Sequence, residues 1–213
     1  LYDMIQELKK DFPDKKIYLL SHSFGSFITQ RYLELYGDNI NGAILLGTTG
    51  PNKPLVVSGK IFANIIKLFN GKNNTSKILD KVFFGSYNKR ISNPKTEYDW
   101  LSKDDLIIQM YISDNWCGNL LTTSFFIDLL NLLLVTHKSK NISKIPNDIP
   151  LFIGYGSEDP VGGYGKFVTK LLNIYRQNGM KKVTSKCYEN SRHELLNESI
   201  KETVDPFWFI SYN

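Results

Sequence analysis

One junction constrains this chain more than any other feature. The apolar run Ile17-Tyr18-Leu19-Leu20 passes through Ser21-His22-Ser23-Phe24-Gly25-Ser26, and a helical pattern starts almost at once. A short apolar run bounded by turn residues reads as a buried strand. Phe27, Ile28, Tyr32, Leu33 and Tyr36 then recur at helical spacing. So quick a change from strand to helix needs a sharp turn, which lifts a serine at its apex above the sheet edge. This is the layout of a nucleophile elbow, with Ser23 as the nucleophile. Of the fixed positions in G-x-S-x-G, the serine and Gly25 are kept, and Ser21 stands where the first glycine is usual. Small flanking residues suit a strained turn with backbone close by. The competing reading is a helix cap, in which a serine side chain satisfies free N–H groups of the first turn.

Chain order favours the elbow. A serine activated on such a turn is followed by an acid and then a histidine. Three histidines are present, His22, His137 and His193. His22 adjoins Ser23, where neighbouring side chains diverge. His137 ends an apolar helix and reads as a cap that compensates the helix dipole. His193 follows the strand candidate 182–188 and is the good base. The acid comes from the loop Gly156-Ser157-Glu158-Asp159-Pro160-Val161, directly after the buried strand candidate 149–155. Functional groups of open α/β sheets collect at that carboxyl edge. Asp159 is preferred, because Pro160 stiffens its loop and a short acid suits a fixed hydrogen bond to an imidazole. Glu158 is the runner-up.

Three segments carry a family resemblance. Ser21-His22-Ser23-Phe24-Gly25-Ser26 is similar to the nucleophile signature of the α/β-hydrolase superfamily, in its lysophospholipase, monoacylglycerol lipase and serine aminopeptidase-like branch. Gly154 to Gly162 resembles the branch's acid loop, and Ser191-Arg192-His193-Glu194-Leu195-Leu196-Asn197-Glu198 resembles its histidine segment most closely. Asp114-Asn115-Trp116-Cys117-Gly118 looks like part of a lid. The resemblance implies an α/β fold: the C-terminal part of a mostly parallel sheet flanked by helices, with an inserted helical lid. It implies a Ser23–Asp159–His193 triad, with the backbone N–H of Phe24 as one oxyanion donor. About four strands precede this point in the family, including the loop with the second oxyanion donor. The chain therefore reads as a fragment or a processed form, with the elbow strand lacking its usual neighbour and catalysis weak in the chain alone.

The expected organisation is a hydrolase core over 1–50 and 148–213, split by a helical lid over 51–147. Helices are expected at 58–69, 104–111, 120–137, 163–178 and 196–210, and a mobile polar loop at 70–76. The apolar stretch 125–135 is too short and too polar to span a bilayer. Part of it is a candidate wall for an acyl-chain pocket, with Phe62 and Trp116 as further contacts.

Composition excludes more than it selects. In 213 residues, 42% are hydrophobic and 13% aromatic, enough for a substantial core. The formal charge of +5 comes from lysines spread along the chain, with no arginine block or aromatic-interleaved basic stripe for nucleic acid. The basic surface reads as a solvated face, with transient contact to a membrane surface as the lesser alternative. Cys117 and Cys187 lie far apart and read as free thiols of a cytoplasmic protein. No cofactor or metal is called for. The expected substrate is a lipid-like or other small carboxylic ester. An amide-cleaving peptidase is the alternative, with Asp99, Asp104 and Asp105 as an acidic patch for a substrate amine, and a degenerate non-catalytic hydrolase is the third reading.

Overall fold

Apolar runs become strands here wherever helices cover both faces. In a computed structural model, which describes residues 1–198 and Val204, four strands form one sheet: β1 (Tyr18–His22), β2 (Gly42–Leu46), β3 (Leu151–Gly156) and β4 (Val183–Tyr188). Their order is β1-β2-β3-β4 and every pairing is parallel. Tyr18 lies opposite Gly42, Ala43 opposite Leu151 and Leu151 opposite Val183, so the carboxyl ends emerge along one edge. Every residue of β2 is buried, as expected for a central parallel strand with both faces covered. The outer strands are more open: Thr184, Ser185 and Lys186 of β4 are exposed, and so is Leu20 of β1. Among the described residues β1 pairs with β2 alone.

Alternation along the strands divides the core. Ala43, Leu45, Leu151 and Ile153 face one way, against Ile5 of α1 (Tyr2–Asp11), Leu33 of α2 (Phe24–Tyr36) and later helical residues. Ile44, Leu46 and Phe152 face the other way, against Tyr188, Leu195 and Val204. The α/β class and parallel sheet are those expected from the sequence. Parallel neighbours need crossover connections, and helices supply them. The helix α2 links β1 to β2.

Between β2 and β3 lie α3 (Lys53–Asn70), α4 (Lys77–Phe84), α5 (Asp105–Ser113), α6 (Thr123–Thr136) and α7 (Ser139–Ile142). The first, second and fourth of these share a separate apolar cluster of Val56, Ala63, Leu79, Phe126 and Leu130. The helix α3 starts earlier than expected, since Pro54 occupies its first turn, where a missing N–H costs nothing. The short α4 was not foreseen. Ser76 caps it, accepting from Leu79 N–H at 3.2 Å. The stretch 70–76 is held rather than free: Thr123 N–H donates to Asn74 O and Ser124 N–H to Lys72 O.

The crossover from β3 to β4 is α8 (Lys166–Gln177), whose Val168, Leu171, Leu172 and Tyr175 are buried at amphipathic spacing. It starts later than expected because Gly163, Tyr164 and Gly165 all take positive φ. Of the helix expected at 196–210, Leu195–Asn197 form a 3-10 turn. Glu198 follows that turn, and the rest of the expected helix, Val204 apart, falls outside the described residues.

Candidate active site

Three strand ends build the site. After β1 the chain turns through Ser23, at φ 52° and ψ −124°, directly into α2. Such a backbone costs a residue with a β-carbon about 1–3 kcal/mol, and it persists only where the surroundings enforce it. They do so here, because Ser23 N–H donates to Leu46 O at 3.0 Å and Ser26 N–H to Ser23 O at 2.9 Å. Ser21, in the unusual first position, donates its hydroxyl to Ile44 O at 3.2 Å. The polar side chain is thereby satisfied against the neighbouring strand.

After β3 the chain delivers Asp159, fully buried. Its Oδ1 accepts from Val161 N–H at 2.8 Å, and its Oδ2 lies 3.1 Å from His193 Nδ1. Glu158 points elsewhere and pairs with Lys103 Nζ at 2.7 Å and Arg192 Nε at 3.9 Å. Of the two acids, Asp159 is the one that meets the imidazole. Asp159 and His193 therefore come together as expected.

His193 is 1% exposed, and its Nε2 has no hydrogen-bond partner among the described residues. Two rings pack against it in tilted contact, Trp100 at 5.1 Å and His22 at 4.7 Å between centroids. His22 also donates its Nε2–H to His193 O at 3.1 Å, so β1 holds the histidine loop from the residue next to Ser23. Burial, followed by the neighbouring His193, lowers the His22 pKa, which keeps this donor neutral. The hydrogen bond between the Ser23 hydroxyl and His193 Nε2 is not formed.

Two glycines that the sequence reading passed over make this packing possible. A β-carbon on Gly47 would lie 2.9 Å from His193 Cε1, and Gly47 also takes φ +56°. A β-carbon on Gly156 would lie 2.2 Å from Ser191 O and 2.3 Å from Arg192 O. Each follows or ends a strand, and that position was the available signal.

The helical segment also grips the histidine loop. Arg192 Nη1 donates to Asp99 O at 2.7 Å and to Ser102 O at 2.8 Å. Glu198, buried, accepts from Arg192 N–H at 2.8 Å and from Lys103 N–H at 3.1 Å. Glu194 N–H reaches Leu101 O at 2.8 Å. The acidic patch is used up locally. Asp99 accepts from Lys95 and Thr96 N–H, Asp104 caps α5 through Leu106 N–H, and Asp105 pairs with Lys95.

Ser23 opens onto a cavity of about 590 Å³. Its walls are mostly apolar: Phe24 and Phe27 from the elbow helix, Val56 and Phe62 from α3, and Phe125, Leu129 and Leu133 from α6. Phe62 therefore stands where expected. Trp116 does not, since it is 92% exposed and away from the cavity wall. His137 also departs from its expected role. It does end α6, but burial pushes its pKa down to about 4, so the neutral ring donates to Gln30 Oε1 at 3.2 Å instead of balancing a dipole.

A family model described as serine aminopeptidase, S33, matches residues 1–200. The chain belongs to this α/β-hydrolase family. Its fold is similar to that of a thermostable carboxyl esterase from Bacillus coagulans, solved with glycerol, at 26% identity and a TM-score of 0.89. That match covers 100% of this chain and 69% of the esterase. A soluble variant of a monoglyceride lipase from Saccharomyces cerevisiae, solved with a substrate analogue, is 17% identical with a TM-score of 0.67 over 100% of this chain and 69% of the lipase. A monoacylglycerol lipase of Paleococcus ferrophilus is 16% identical with a TM-score of 0.66 over 100% of this chain and 73% of that one. At those lower identities the likeness is one of fold. No curated protein matches the chain.

Proposed function

We propose that this protein is a serine hydrolase that cleaves carboxylic esters of lipid-like substrates through an acyl-enzyme. The observation that carries the reading is the buried Asp159–His193 pair, with Nε2 left unpaired, beside a strained serine that opens onto an apolar cavity. A buried imidazole nitrogen without a partner is costly. Pairing of the Ser23 hydroxyl with Nε2 removes that cost and assembles the base.

In this mechanism His193 Nε2 takes the Ser23 proton as the serine oxygen attacks the ester carbonyl carbon. Asp159 holds the tautomer with Nδ1 protonated and stabilises the imidazolium. The negative oxygen of the tetrahedral intermediate is met by the backbone N–H of Phe24, where the N-terminus of α2 adds its dipole. The intermediate collapses, His193 returns the proton to the departing alcohol oxygen, and the acyl group stays on Ser23. Water then repeats the cycle, giving the carboxylic acid and free serine. The apolar cavity takes the acyl chain, and residues 51–147 act as a lid over it.

The likeness to an esterase at 26% identity supports ester over amide cleavage. So does the use of Asp99, Asp104 and Asp105 in local bonds, which leaves no carboxylate on the cavity wall among the described residues to hold a substrate's free amine. A fluorophosphonate probe with p-nitrophenyl esters of increasing length tests the proposal. The parent is expected to be labelled and to turn over esters, and Ser23→Ala to lose both by at least about a thousandfold. An S23A variant with parental turnover overturns the assignment. Faster cleavage of amino-acid amides than of acyl esters overturns the substrate class.

A further inference from the structure

The outer face of α3 and α4 is apolar where water is expected. Leu68 and Phe69 are 81% and 86% exposed, Ile61 and Ile65 of α3 and Ile78 and Val82 of α4 are exposed too, and Phe69 and Ile78 line one surface depression. Along α3 these positions recur at spacings of three and four, on the side opposite the buried Val56 and Ala63. A contiguous apolar patch of this kind on a folded surface marks a contact with something else.

Charge identifies the partner. Residues 53–81 hold Lys53, Lys60, Lys67, Lys72, Lys77 and Lys81 against Asp80 alone. That excess of five equals the +5 of the whole chain, so the remainder is balanced. Lysines 53, 60 and 67 repeat every seventh residue and form one stripe beside the apolar arc. An apolar face edged by lysine is the arrangement of a helix lying in a lipid interface. A second copy of this chain fits badly, because a two-fold contact would set the same cationic face against itself.

We infer that the α3–α4 face docks on an anionic lipid surface. The patch is continuous with the site: Leu55 and Val82, both exposed, also line the cavity that Ser23 opens onto. Docking therefore sets the cavity mouth against the layer in which an acyl ester dissolves. The lysines attract the headgroups from a distance, and Leu68 and Phe69 enter the acyl boundary. Each lysine near such a surface contributes a factor of about five to partitioning. The docking goes beyond the hydrolase reading and does not require it.

The test is co-sedimentation of the purified chain with vesicles of phosphatidylcholine alone, or mixed with phosphatidylglycerol, at low and high salt. Binding to the mixed vesicles is expected to exceed binding to phosphatidylcholine by at least about tenfold and to weaken with salt. The triple variant Lys60→Glu, Lys67→Glu, Lys77→Glu and the double variant Leu68→Ser, Phe69→Ser should each lose at least about tenfold, with circular dichroism and melting temperature unchanged. Lys67, Leu68, Phe69 and Lys77 are exposed and Lys60 is partly exposed, so folding survives their replacement. Equal binding to both vesicle types, no binding, or full binding by the variants overturns the proposal. A dimer that the double variant dissociates overturns it too, in favour of self-association. If fluorophosphonate fails to label Ser23 while vesicle binding persists, the hydrolase reading falls and the docking surface stands.

Discussion

At the scale of single residues, the site depends on where a β-carbon is absent as much as on the side chains present. Gly156 ends β3 against the backbone carrying Ser191 and Arg192. The two carbonyl oxygens that crowd it belong to main chain, which has no rotamer to yield. Gly156→Ala should therefore push the histidine loop away from the strand ends. Overpacking of this sort costs about 1–3 kcal/mol, and rigid main chain places it at the upper end. Urea denaturation should show that loss, and the displaced His193 should slow fluorophosphonate labelling at least about tenfold. Gly25 makes the contrast. It is the glycine the elbow motif singles out, yet a β-carbon there meets only Ser21 Cβ, at 3.8 Å. Gly25→Ala should change stability by less than about 0.5 kcal/mol in the same measurement. Crowding at this elbow thus lies between strand ends and the histidine loop, not at the motif's own flank.

At the scale of elements, α2, α6, α8 and the loop after β2 meet around one buried amide. Gln30 Nε2 donates to Thr48 Oγ1 at 2.9 Å and to Thr49 O at 3.0 Å, while its Oε1 accepts from His137 at 3.2 Å and Tyr175 OH at 3.3 Å. Both amide hydrogens and both oxygen lone pairs are used, so the network is complete at its centre. Gln30→Leu conserves volume but leaves several buried polar groups without partners. It should lower stability by about 3 kcal/mol, measured by urea denaturation, against about 1 kcal/mol for Tyr175→Phe, which removes only one arm. Nothing in the sequence announced Gln30, because its partners come from three other elements, up to 145 residues away. The strands were legible for the opposite reason. Buried parallel strands write themselves as unbroken apolar runs, and β3, expected at 149–155, runs from Leu151 to Gly156. The strand-end positions of Ser23, Asp159 and His193, and the meeting of the last two, were legible because strand ends in chain order leave few choices. The helix α4 was not, since its cap Ser76 closes a polar run that reads as loop. The Arg192 and Glu198 contacts to residues 99–103 were beyond reach for the same reason as Gln30.

At the scale of the molecule, two buried titratable groups oppose each other and together set how stability responds to pH. Glu34 lies on α2 with its side chain buried, and its carboxyl is raised to about 7. Burial outweighs the Arg31 guanidinium, although that ion pair is only 2.6 Å long. Glu34 Oε1 has no partner among the described residues, which agrees with a carboxyl that holds its proton. A carboxyl whose folded pKa lies above its unfolded value of about 4.5 contributes stability below that value, and the contribution is lost as pH rises toward 7. His137 runs the other way. Its folded pKa of about 4 lies below the unfolded 6.5, so its contribution is present above pH 6.5 and is lost as pH falls toward 4. Between roughly pH 4.5 and 6.5 unfolding releases about one proton from Glu34 and takes up about one at His137, so the two slopes cancel. The cancellation hides both groups in the parent and is exposed by removing one. Glu34→Gln keeps the shape and an acceptor for Arg31 Nη1 but no longer titrates. Its stability relative to the parent should climb as pH rises from 4.5 to 7, by up to about 3 kcal/mol, in urea midpoints taken across that range. His137→Gln should show the mirror image, gaining on the parent as pH falls from 6.5 to 4. A difference between E34Q and the parent that stays constant with pH would place Glu34 as an ordinary ionised partner of Arg31.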